Sequence, residues 1–155
     1  MSPKFARSPE FQTAPHSLLL LVGAFEDSNE LFSRFPWPTR RVRGFRQARA
    51  LLNQNLVRVV VCEHAVPDGD WRDVLDAAAL RQCAPPTIVT SRLADEHLWA
   101  EVLNLGGYDV LAKPLVRDEA LRAIGLAWER LAPEDTGSRG FPARWHGNAQ
   151  SIVIG

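Results

Sequence analysis

Two hydrophobic periods alternate along this chain. Short unbroken apolar runs, which read as strands buried on both faces, alternate with stretches whose apolar residues return every three or four positions, as on one face of a helix. Ser17 to Val22 predicts a first strand. Leu31, Phe32 and Phe35 predict a helical face closed by Pro36 and Pro38, with Asp27 or Ser28 as its N-cap. Thr39 to Val42 predicts a short strand, and its arginines suit a sheet edge. Ala48, Leu51 and Leu52 mark a second helix, and Arg58 to Cys62 the central strand. Val74, Leu75 and Ala78 give the third helix its inner face, and Thr87 to Thr90 is the fourth strand. Asp95 opens a helix with Leu98, Val102 and Leu105 inward and Gly106-Gly107 as its C-terminal cap. Asp109 to Ala112 is the fifth strand, and Leu121, Ile124, Trp128 and Leu131 define the last helix.

Five β-α units in strict alternation predict a parallel sheet with helices on both faces. The predicted domain spans residues 17–131. Residues 1–16, with three prolines, scattered charge and no periodicity, and residues 132–155, rich in Gly, Pro and polar residues, read as flexible tails. The 24 residues from Ala132 to Gly155 are too few for an effector domain, so a stand-alone domain is expected.

Composition narrows the function classes. With 155 residues, 46% hydrophobic, 23% charged and a formal net charge of zero, the chain reads as one soluble domain with no global pull toward nucleic acid or membrane. The charge is uneven. No acid occurs from Leu31 to Arg58, where Arg34, Arg40, Arg41, Arg43, Arg46, Arg49 and Arg58 stand; this Arg34–Arg58 basic face is either solvated or a contact for an acidic partner, with nucleic acid disfavoured. Cys62 and Cys83 make no disulfide framework, which suits a reducing cytoplasm. No apolar run approaches the roughly 20 residues of a membrane helix.

The candidate chemistry gathers after the third strand, where open α/β sheets place their sites. Glu63 ends that strand, and the turn Val66-Pro67-Asp68-Gly69-Asp70 follows. Val22-Gly23-Ala24-Phe25 lacks the spaced glycines of a nucleotide loop, and no nucleophile–base pair stands out. His64 reads as an exposed loop residue, and Asp68 and Asp70 as turn chemistry. Trp71 is placed to cover the next helix's first turn or to shield the pocket, and Trp99 as half-buried or docking.

The ordered set Val66-Pro67-Asp68-Gly69-Asp70, Thr90-Ser91-Arg92, Leu105-Gly106-Gly107-Tyr108-Asp109 and Leu111-Ala112-Lys113-Pro114 resembles the receiver domain of bacterial two-component response regulators. The resemblance implies a flavodoxin-like (βα)5 fold with strand order 2-1-3-4-5. It further implies Mg²⁺ held by an acid pair after strand 1, a phosphoacceptor Asp ending strand 3 and a backbone carbonyl, here that of Ala65. A hydroxyl after strand 4 and a lysine after strand 5 would bind the phosphoryl group, and an aromatic in strand 5 would report it. Position by position, Ser91, Lys113 and Pro114 match. Gly23 and Ala24 stand in place of the acid pair, Glu63 in place of the phosphoacceptor, Val110 at the switch aromatic, and Trp71 where the turn usually has Gly.

These departures lead to an expectation of no cofactor, no Mg²⁺ and no enzymatic turnover. Glu63 is expected to hold Lys113 and also Ser91, with Glu26 and Asp27 as the alternative metal ligands of a still phosphorylatable receiver. The expected function is a degenerate, phosphorylation-independent interaction module in two-component (phosphorelay) signalling. Its expected partners are proteins, a histidine kinase or another regulator, with self-association left open.

Overall fold

The computed structural model describes residues 17–130. The two expected tails and Leu131 lie outside the described residues. Five strands form one parallel sheet: β1 (Leu18–Val22), β2 (Thr39–Val42), β3 (Val57–Glu63), β6 (Thr87–Ser91) and β7 (Asp109–Ala112), in the order β2-β1-β3-β6-β7. Counting only these strands, the order is 2-1-3-4-5, the doubly wound flavodoxin-like topology. A separate antiparallel pair, β4 (Ala65–Val66) and β5 (Gly69–Asp70), folds the Pro67-Asp68 turn back beneath Glu63's strand end. The helices are α1 (Asn29–Ser33), α2 (Phe45–Leu52), α3 (Trp71–Ala79), α4 (Glu96–Asn104) and α5 (Arg117–Arg130).

Strand alternation divides the interior into two cores. Leu20, Val22, Val60, Cys62, Val89 and Val110 point to one face and meet α2, α3 and α4. Leu19, Leu21, Val59, Val61, Ile88 and Leu111 point to the other and meet α1 and α5. Adjacent residues of a strand therefore serve opposite cores, which is why β1 and the Val59–Cys62 run of β3 are apolar without a break. Among the described residues, no helix is long and apolar enough to cross a membrane.

The helix ends follow local chemistry. Asp95 accepts from the Leu98 N–H at 2.9 Å and starts α4. Gly106, at φ 99°, ends it: the Gly107 N–H donates to the Val102 carbonyl and the Gly106 N–H to that of Leu103, the paired bonds of a Schellman cap. Asp70 and Asp73 form a capping box on α3.

Several expectations need correction. Ser28 does stand at the N-cap of α1, but it makes no side-chain cap hydrogen bond, and Glu26–Ser28 forms a single 3-10 turn before the helix. Leu105 follows the last turn of α4 and is 52% exposed, whereas Trp99, at 5%, fills the inner face beside Leu98 and Val102. Trp99 is thus a core residue rather than a half-buried or docking one. On α5 the buried face is Ala120, Ala123, Ile124 and Ala127, with Leu121 and Trp128 only packed along its margins. Small side chains let that helix lie close to the sheet, a placement hydrophobicity alone does not predict.

Candidate functional site

Glu63 is the last residue of β3, at the carboxyl edge of the sheet. Its Oε2 accepts from Lys113 Nζ at 2.6 Å, and both side chains are only 16% exposed. Lys113 directly follows β7, and its backbone N–H donates to the Ser91 carbonyl at 3.0 Å, which anchors it beside the end of β6. Because β6 lies between β3 and β7, the ion pair arches over the end of β6.

The carboxylate is held from the other side as well. The Ala24 N–H donates to Oε1 at 3.2 Å and the Phe25 N–H to Oε2 at 3.3 Å. A Cβ on Gly23 would meet Glu63 Oε1 at 2.6 Å and Cγ at 2.7 Å, and Gly23 sits at φ 134°, where other residues strain. Glycine is therefore what lets the loop close on this long acid. Phe25 adopts φ 48° and ψ 36°, a left-handed conformation that costs a bulky residue about 1–2 kcal/mol. Its ring is fully buried and lies 5.8 Å from Lys113 Nζ. Charge-assisted hydrogen bonds contribute about 1.5–3 kcal/mol each when well formed, enough to hold such a residue in place.

Register changes the assignment of the hydroxyl. Val61 and Leu111 face the α1/α5 core, so Glu63 and Lys113, each two residues further on, face that side too. On β6, Ile88 faces the same core, which places Thr90 on the side of the ion pair and Ser91 on the opposite side. Thr90 is also the register partner of Glu63 and is fully buried, and its Oγ1 has no hydrogen-bond partner among the described residues. The Ser91 Oγ instead accepts from the Leu93 N–H at 3.0 Å. Among the described residues, no hydrogen bond joins Glu63 to Ser91; the expected contact is not made, because the strand's pleat turns Ser91 away.

An open cleft of about 270 Å³ adjoins the pair, lined by Gly23, Ala24, Arg43, Glu63, Ala65, Val66 and Pro67. Trp71 does not line it. Its side chain is fully buried in the α2/α3/α4 core, with the Arg72 guanidinium 4.7 Å from its ring centroid. Val110 is buried in the same core, and Pro114 is exposed after a cis peptide bond. Glu26 and Asp27 are exposed, and Asp27 faces Arg92 at 3.6 Å. His64 is exposed. Burial pushes the Cys62 thiol up, and the charges of Glu63 and Asp70 push it further, so this thiol stays protonated and inert.

Asp68 does more than shape its own turn. Its Oδ1 accepts from the Phe45 N–H at 2.6 Å and its Oδ2 from the Arg46 N–H at 3.1 Å, capping α2 from 23 residues away. These backbone bonds, Arg46 first and then Phe45, hold the Asp68 carboxyl below its usual range. The arginines of the basic stretch have different partners. Arg58 Nε donates to the Trp128 carbonyl at 2.6 Å, Arg34 pairs with Glu30, and Arg41 reaches Asn29.

No protein-family model matches the sequence, and no curated protein does. Solved structures do match the fold. The receiver domain of a Francisella response regulator superposes with a TM-score of 0.66 at 22% identity, over 75% of this chain and 98% of that one. The signal receiver domain of an HD domain-containing protein from Pseudomonas fluorescens gives 0.67 at 26% identity, over 78% and 93%. A response regulator receiver domain protein from Methanospirillum hungatei gives 0.65 at 18%, over 76% and 98%. The fold is that of a response-regulator receiver domain. In receiver terms, Glu63, Thr90 and Lys113 lie together at the carboxyl edge of the sheet, with the β1–α1 loop closing over them.

The Mg²⁺ that a receiver fold implies does not fit this arrangement. Mg²⁺ asks for near-octahedral oxygen ligands. Here the loop facing Glu63 offers two N–H donors, and the one carboxylate at the site is spent on Lys113 and on those donors. Among the described residues, no group of three or more His, Cys, Asp or Glu comes together in a form that could hold a metal.

Proposed function

We propose that this chain is a degenerate receiver domain that works as a phosphorylation-independent protein-interaction module in two-component signal transduction, without turnover and without Mg²⁺. The observation that carries this reading is the Glu63–Lys113 contact at 2.6 Å, closed on its far side by the Ala24 and Phe25 N–H groups. A phosphoryl group on a receiver would supply nearly two negative charges toward the lysine. Glu63 supplies one, permanently, so the site is held in a single condition that partly imitates the modified one.

The partner is a protein of the same signalling class, a histidine kinase or another regulator, met through the α4–β7–α5 face. A reducing, cytoplasmic setting suits the free Cys62 and Cys83. A second reading has a specific observation behind it. Arg40, Arg43 and Arg46 are exposed and form no ion pair among the described residues, which favours an acidic protein segment along β2 and the start of α2.

The test is a binding titration against a captured partner with wild type and Glu63→Gln. The module reading expects weaker binding when the fixed charge is removed; unchanged affinity would reduce the pair to a structural salt bridge. Glu63→Asp, with acetyl phosphate and Mg²⁺, checks whether a shorter acid brings back control.

A further inference from the structure

We propose that Phe25 is a strained trigger that couples the Glu63–Lys113 pair to the Trp37–Trp128 pair beside α5, at the other end of the same core. The proposal rests on the geometry of the pair and not on the signalling role given to it above.

Phe25 and Asn55 are the non-glycine residues with positive φ among the described residues. Asn tolerates that conformation through its short polar side chain; Phe has no such compensation. What holds Phe25 is local and removable. Its N–H is bound to Glu63 Oε2 at 3.3 Å, and its ring lies under the Lys113 ammonium. The first contact is made to Glu63 itself and the second to the ammonium that Glu63 pairs with.

From Phe25 a continuous aromatic ladder leads away. Phe25 meets Phe32 edge-on at 5.3 Å, Phe32 meets Phe35 at 5.4 Å, and Phe35 meets Trp37 at 5.6 Å. Trp37 then lies over Trp128 at 5.9 Å. The Trp128 carbonyl accepts from Arg58 Nε, which fixes the far end to β3. Edge-to-face rings in a close-packed core have discrete arrangements and do not slide smoothly past one another. Releasing Phe25 to an ordinary φ therefore moves the first ring and obliges the next to repack. Trp37 and Trp128 are half-buried, so that repacking reaches the surface between α1 and α5. The strand-5 position that resembles the receiver switch holds a small buried Val110 on the other face of the sheet; the aromatic route lies on this face instead.

Trp71 and Trp99 belong to the opposite core and serve as internal controls. The experiment compares indole N–H cross-peaks in ¹⁵N-labelled wild type and Glu63→Gln. The trigger predicts that the Trp37 and Trp128 peaks shift while those of Trp71 and Trp99 stay within the spread of repeat spectra. It also predicts that adding Phe32→Leu abolishes the Trp128 response. Static Trp37 and Trp128 peaks, equal movement of Trp71 and Trp99, or a Trp128 response that survives Phe32→Leu would each overturn the proposal. If Glu63→Gln does not fold, Lys113→Met removes the same ion pair and is read by the same peaks.

Discussion

The Cβ that Gly23 lacks would lie 2.6 Å from the Oε1 of Glu63. A side chain at 23 would therefore require the Glu63 carboxylate to shift from where the Ala24 and Phe25 N–H groups hold it.

Gly23→Ala should destabilise the fold by about 1–3 kcal/mol, since it combines an unfavourable φ with a displaced carboxylate. In a Glu63→Ala background the clash term disappears and only the backbone term remains. Chemical denaturation of the four members of this cycle should show a coupling of about 1 kcal/mol or more between the positions. Strict additivity would mean that Glu63 simply moves aside.

Lys113→Met leaves Glu63 charged, largely buried and without its main partner. A loss of about 3 kcal/mol is expected, the usual cost of breaking one side of a buried pair. Replacing both residues, Glu63→Leu with Lys113→Met, should recover much of that loss, because desolvation offsets most of the Coulomb attraction. The midpoint of urea unfolding reads both effects.

Thr90 and Ser91 should behave in opposite ways. Thr90→Val removes a buried hydroxyl that has no hydrogen-bond partner among the described residues, and it should be neutral or stabilising. Ser91→Ala takes an acceptor from the Leu93 N–H and should cost about 0.5–1.5 kcal/mol. Thermal unfolding of the two variants side by side checks the register argument directly.

Much of the architecture is written in short-range pattern. The apolar run of β1, the Val59–Cys62 run within β3, the Asp95 cap and the Gly106-Gly107 stop each depend on neighbours within a few residues, and each is found where the pattern puts it. The site is different. Glu63 meets Ala24 and Phe25 across 39 and 38 residues, and Asp68 caps a helix 23 residues upstream. Such contacts depend on how loops approach one another, which no local period encodes. The Thr90 and Ser91 assignment lies between these cases. Counting by twos from Val61 and Ile88 places Thr90 beside Glu63, once the pairing of β3 with β6 is known. Trp99 and the alanines of α5 are buried where the apolar stripe instead names Leu105 and Trp128.

Asp68 gives a pH signature. Its carboxyl is held below the usual range by the Arg46 and Phe45 N–H groups, so the folded state favours the ionised form. The stabilisation is fully present above the unfolded value near 3.9 and is lost as pH falls through the lower folded value. Asp68→Asn should therefore be less stable than wild type at neutral pH, and the gap should narrow below about pH 4. A gap that is constant between pH 7 and pH 2 would show that the cap does not depend on ionisation.

The most direct measurement is intact-protein mass after incubation with acetyl phosphate and Mg²⁺. With Glu63 closed in by Lys113, Ala24 and Phe25, the mass should not change, with or without the metal. A mass gain of one phosphoryl group that requires Mg²⁺ and disappears in Glu63→Gln would contradict the account.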